Sequence, residues 1–159
     1  MNSSLYPTRK QHRLKNYDYS TPGAYFVTIC TEDRRPTLSR IVGRTIGHPP
    51  DIVLSSLGEI VDAAIHQIHA KYPGVELHQY VIMPNHVHLL LSISSQAGPS
   101  LGRILQQMKG FVTKHWGQTV WQDKYYDHVI RDENDFQVKY QYICDNPIKW
   151  AEDEYFDAP

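Results

Sequence analysis

The spacing of apolar residues changes along the chain, and each change marks an element. GAYFVTICT (residues 23–31), rich in β-branched and aromatic residues, reads as a first strand after an arm spanning residues 1–20. Residues 32–53 contain Gly43, Gly47 and an HPP tripeptide and read as an irregular insertion with room for a small hairpin. A helical period follows, with Ile60, Ala63, Ala64 and Ile68 on one face. Ser56 and Glu59 match a capping box at its start, and YPG (72–74) stops it. VELHQYVIM (75–83) and HVHLLLSIS (86–94) read as two strands joined at Pro84 and Asn85, hence a hairpin. LGRILQQMKGFVTKHWG (101–117) is a second helix, with Leu101, Ile104, Leu105, Met108, Phe111 and Val112 as its apolar face and Arg103, Gln107 and Lys114 opposite. A fourth strand lies within residues 121–131, and residues 132–146 form a third helix ending near Pro147.

Strand, helix, strand, strand, helix, strand is the ferredoxin-like order, also called RRM-like. It is an α+β fold with a four-stranded antiparallel sheet and two helices on one face. The third helix is an addition at the C-terminal end and is expected on the sheet's open face. Alternation along the strand at 86–94 puts Val87, Leu89, Leu91 and Ile93 toward the two helices. His86, His88, Leu90, Ser92 and Ser94 then share the open face. Two imidazoles two residues apart on one strand face, with Cα atoms ~7 Å apart, can converge on one ion. The plainer reading is a pair of strand histidines satisfied by carbonyls or water.

Helix three bears on that choice. On a helical wheel Phe136, Tyr140, Ile143 and Pro147 fall within about 40° of one line and read as its core stripe. Tyr142 and Asn146 lie together on the flank, one turn apart. An amide oxygen can complete a two-histidine metal site, and a phenol beside such an ion can attack a phosphodiester to give a covalent phosphotyrosine.

The totals add less. With 159 residues, 41% hydrophobic and 21% charged, the chain suits a single domain over residues 1–159. The N-terminus has no apolar core segment of a leader, and no apolar run approaches the ~20 residues of a membrane span, so a soluble cytoplasmic protein is expected. Cys30 and Cys144 are too few and too far apart for a disulfide framework or a cysteine zinc site. A formal net charge of −1 does not advertise a nucleic-acid binder. However, Arg9, Lys10, Arg13 and Lys15 cluster in the arm, and a local field can still grip phosphates.

Four stretches, taken in order over residues 15–150, resemble the REP-associated tyrosine transposases: YDYSTPGAYFVTICT, YVIMPNHVHLLL, WQDKYYDHVIRDENDF and YQYICDNPIKW. These belong to the single-tyrosine HUH transposases, named for two histidines around a bulky hydrophobic residue. The resemblance implies that His86 and His88, flanking Val87, are metal ligands and that Tyr142 is the nucleophile. It implies that Asn146 is the amide completing the metal site, where related insertion-sequence enzymes carry glutamine. It also implies cleavage of single-stranded DNA beside a hairpin through a 5′-phosphotyrosine, with strand transfer by the reverse reaction. The implied cofactor is a divalent ion, Mg²⁺ or Mn²⁺, without ATP. Imidazole and amide donors are not a typical Mg²⁺ cage, so Zn²⁺ or Ni²⁺ in purified protein also fits. Some members work as homodimers with the tyrosine helix supplied in trans and REP-associated relatives as monomers; the sequence leaves both open.

Lys139 and Lys149 share the flank of Tyr142 and are candidates, with the basic arm, for DNA phosphates. His128 is a candidate to orient a metal ligand, a strand histidine being the plainer reading. Trp116, Trp121 and Trp150 could stack on unpaired bases, although tryptophans in small domains more often fill the core. The competing function is a domesticated, non-cleaving protein that binds DNA or RNA hairpins; the presence of both histidines, the tyrosine and the amide disfavours it. Histidine-triad hydrolases would need a further histidine where Leu90 stands, and two-histidine phosphoesterases need H-x-T or H-x-S pairs that are not found.

Overall fold

The computed structural model describes residues 23–43, 50–94 and 98–150; the arm with Arg9, Lys10, Arg13 and Lys15 lies outside them. In chain order the elements are β1 (Gly23–Cys30), β2 (Ser39–Val42), β3 (Asp51–Leu54), α1 (Ser56–Lys71), β4 (Val75–Ile82), β5 (His86–Ile93), α2 (Leu101–Trp116), β6 (Tyr126–Val129) and α3 (Glu133–Trp150). Strands pair in the order β4-β5-β1-β6, every neighbour antiparallel, which is the expected ferredoxin-like sheet. Among the described residues no helix is long and apolar enough to cross a membrane.

β5 is buried on both sides because each face of the sheet is covered. Val87, Leu89, Leu91 and Ile93 join Tyr25, Val27 and Ile29 of β1 in a core closed by α1 and α2. On the other face Phe26, Val81, Met83 and Leu90 meet Ile143 and Trp150 of α3. The β1–β5 register sets Thr28 opposite His88 and Cys30 opposite His86, so the open-face residues of both strands point at α3.

The small hairpin expected within the insertion at 32–53 is present as β2 paired with β3, while two other expectations need correction. It is tied to the sheet by the Ser39 hydroxyl donating to the Ile82 carbonyl at 2.9 Å, and Ile41 and Ile52 pack beside the α3 core. The cap of α1 is Ser55, not Ser56: its Oγ accepts the Gly58 N–H at 3.0 Å. Its buried face is Leu57, Val61, Ala64, Ile65 and Ile68, with Ala63 exposed. Lastly, α3 does not end at Pro147. It starts where Asp132 Oδ1 accepts the Asp135 N–H at 2.8 Å and runs on to Trp150. Proline offers no N–H to the Ile143 carbonyl, but burial of Trp150 against the sheet holds the final turn in place.

Gly58 has a reason in packing. A Cβ there would lie 2.0 Å from the Leu38 carbonyl oxygen, so α1 enters the fold through a contact only glycine allows. Gly58→Ala is expected to destabilise the protein by about 2–3 kcal/mol or more in urea denaturation. Gly110→Ala in α2, where an added Cβ meets nothing within 4 Å, should instead stabilise by about 0.5–1 kcal/mol.

Candidate active site

His86 is the first residue of β5 and follows the Pro84–Asn85 turn; His88 sits two residues further in, 2% exposed. Their ring centroids are 4.7 Å apart. His88 Nδ1 is 2.9 Å from the Thr28 hydroxyl across the strand pair, while its Nε2 is buried with no hydrogen-bond partner. Burial drives the His88 pKa well below its ordinary value; neighbouring His86 adds to this, and a hydrogen bond to the Val27 backbone opposes it. The ring is therefore neutral, the form that ligates metals.

Both nitrogens of His86 face amide oxygens. Nδ1 is 2.7 Å from Asn85 Oδ1, and Nε2 is 3.3 Å from Asn146 Oδ1. The imidazole can donate across one of these contacts when neutral and across both when each ring nitrogen carries a proton. Asn146 presents its oxygen to His86 because its Nδ2 donates to the Tyr142 carbonyl at 3.0 Å. A cation here would satisfy the buried His88 Nε2 and could also be reached by His86 Nε2 and Asn146 Oδ1, so the residues present fit a divalent ion held by His86, His88 and Asn146. Among the described residues no group of three or more His, Cys, Asp or Glu is placed to hold a metal, and here the third donor is an amide.

Tyr142 is one turn before Asn146 on α3. Its ring is 5.2 Å from that of His88 and meets the Phe26 ring edge-on at 5.8 Å, so phenol and imidazoles come together within one chain. The buried stripe of α3 differs from the one expected: it runs through Lys139, Ile143, Asn146 and Trp150, with Tyr142 half-buried beside it. Relative to Phe136 and Pro147 this is a rotation of about 50° toward the flank. Hydrophobicity hid it because two of the four buried residues are polar.

The other candidates separate. His128 on β6 does not reach the imidazole pair through any contact seen; its Nε2 is 2.7 Å from Asp135 Oδ2. Lys139 is 3% exposed, with Nζ 3.5 Å from Asp135 Oδ1, and so is placed against the sheet, not on an open surface. Lys149 is half-buried on the last turn of α3. Trp121 and Trp150 are buried and Trp116 is exposed. Thr28, Asn85 and Asp135 were not singled out from the sequence. Their partners lie on other elements or, for Asn85, next door in an otherwise ordinary turn.

The family of IS200-like transposases matches residues 24–146, a span that takes in β1, the histidine pair, Tyr142 and Asn146. The chain belongs to that family. This transposase is 30% identical to an uncharacterised protein of Haemophilus influenzae over 93% of each chain. It is 23% identical to the REP-associated tyrosine transposase of Escherichia coli K12, over 82% of this chain and 70% of the other. Its fold matches that of a REP-associated tyrosine transposase bound to a REP hairpin, with a TM-score of 0.67 and 22% identity over 86% of this chain and 73% of that one. The resemblance read from the four motifs is borne out.

Asp135 anchors the start of α3 by accepting from His128, from the Arg131 N–H at 3.0 Å and from Lys139. Burial pushes its pKa up, but the hydrogen bonds from His128 and Arg131 and the charges of His128 and Lys139 outweigh it, and the carboxyl ends below its ordinary 3.8. A depressed carboxylate contributes stability that is present above its unfolded value and lost as pH falls through the folded one. Asp135→Asn should therefore cost about 2 kcal/mol at pH 6, and the gap to the parent should close as denaturation is repeated progressively below pH 4.

Proposed function

We propose that this transposase cleaves and rejoins single-stranded DNA beside hairpins through a 5′-phosphotyrosine on Tyr142. The single observation that carries the reading is the convergence of Tyr142 with His86 Nε2, His88 Nε2 and Asn146 Oδ1 in one partly buried cluster. The Escherichia coli relative is a REP-associated tyrosine transposase, and the structural match was solved on a REP hairpin; a hairpin-bearing strand is the substrate class that fits both.

His86, His88 and Asn146 would hold the ion. When bound, a divalent cation there supplies Lewis-acid stabilisation of the charge that builds on a non-bridging phosphate oxygen. Mg²⁺ or Mn²⁺ is the working assignment, and the two-nitrogen, one-amide donor set favours Mn²⁺, or Zn²⁺ and Ni²⁺ in purified protein. Phe26 and His88 pack the Tyr142 ring and limit the positions its oxygen can take. That oxygen attacks phosphorus as the P–O3′ bond breaks. The products are a phosphotyrosine ester on the 5′ side and a 3′-hydroxyl that carries the proton the phenol gave up. One phosphodiester replaces another, so rejoining by a 3′-hydroxyl needs no nucleotide cofactor. Lys149 and the basic arm are the proposed phosphate contacts. Lys139 would reach DNA only by leaving Asp135.

Incubation of the protein with labelled hairpin oligonucleotides and Mn²⁺ is expected to yield a covalent adduct on a denaturing gel. Tyr142→Phe should abolish the adduct while leaving hairpin binding within about threefold, and His88→Ala should reduce it by at least 10²-fold. Cleavage by the phenylalanine variant at the parent's rate would refute the nucleophile assignment. Hairpin binding without any adduct from the parent would favour the non-cleaving reading.

A further inference from the structure

Each histidine of the pair has a side-chain oxygen at Nδ1, and neither oxygen belongs to a carboxylate. Thr28 Oγ1 faces His88 at 2.9 Å from β1, and Asn85 Oδ1 faces His86 at 2.7 Å from the β4–β5 turn. Both residues are buried, Thr28 at 8% and Asn85 at 2% exposure. We propose that Thr28 and Asn85 are positioning residues that hold His88 and His86 in the Nδ1–H tautomer, which gives each ring its lone pair on Nε2, the nitrogen that would face a divalent ion. The proposal rests on the metal reading of the site given above.

The placement of Asn85 is over-determined in a way that strand pairing does not require. Its backbone carbonyl accepts both the N–H and the hydroxyl of Thr31, at 3.0 and 3.1 Å, and the adjoining Pro84 carbonyl accepts the Leu38 N–H at 3.0 Å. The turn before His86 is thus pinned to the segment that follows β1. Thr28 is fixed by the β1–β5 register, which pairs it with His88. Which ring nitrogen carries the proton is set by the bonds each nitrogen makes, so these two oxygens, together with the Val27 backbone that also bonds His88, decide where the lone pairs lie. Because the acceptors are neutral, they orient the rings without adding negative charge near the ion.

The test uses the full-length protein with ¹⁵N-labelled histidine, read by NMR without metal, followed by calorimetric titration with Mn²⁺ alone. The parent and Thr28→Ser should show both rings as Nδ1–H. Thr28→Val and Asn85→Leu should shift the ring they face toward the Nε2–H form and weaken Mn²⁺ binding about 10- to 100-fold. Asn85→Asp, which keeps an acceptor, should retain the tautomer. Folded Val and Leu variants with the parent's tautomers and Mn²⁺ affinity would overturn the proposal. Should those variants fail to fold, the parent decides: Nε2–H rings overturn it and Nδ1–H rings support it. A parent with Nδ1–H rings that binds no Mn²⁺ overturns the metal reading while leaving the tautomer assignment standing.

Discussion

The approach of His86 Nε2 to the Asn146 carboxamide oxygen, 3.3 Å apart, is the contact around which the rest of the molecule is arranged. In this partly buried place the two groups are satisfied either by a proton on the imidazole or by a cation held between them. The fold enforces the meeting from both sides. β5 is held by β1 and β4, and α3 is held by Ile143 and Trp150 in the core on that face of the sheet. The Tyr142 carbonyl fixes which end of the Asn146 amide faces the histidine.

The helical repeat then links the Asn146 amide to the phenol. Asn146 and Tyr142 are one turn apart, so seating the amide over His86 brings the tyrosine ring to His88 and Phe26. Every one of these side chains is on a strand or helix, and the strand that carries the histidines is buried on both faces. A site built this way depends little on loop conformation. The Asp135 cluster secures the N-terminal end of α3, and Trp150 secures the end beyond Pro147.

The sheet, the hairpin turn and the two core helices were legible in the sequence because their signals are local: alternation in β5, the 3.6-residue period of α2, the Pro84–Asn85 turn. Alternation alone also assigned His86 and His88 to the face opposite Val87 and Leu89. Other features depended on distant partners. Ser55 and Ser56 are equivalent as sequence, and only the close approach of Gly58 to Leu38 picks out the first as the cap. The α3 stripe is wider than expected: Phe136, Tyr140 and Ile143 do pack on the core, but Lys139 and Asn146 join them by virtue of Asp135, Tyr142 and His86, not of their own hydrophobicity. Thr28 looks like any β-strand threonine until the register sets it opposite a histidine 60 residues later.

The most direct test is anomalous diffraction from crystals of the protein soaked in Mn²⁺. A single strong peak within coordination distance of His86 Nε2, His88 Nε2 and Asn146 Oδ1, beside the Tyr142 ring, is the expected result. Saturating Mn²⁺ that leaves this cluster without a peak, or a peak bound only by other side chains, would contradict it.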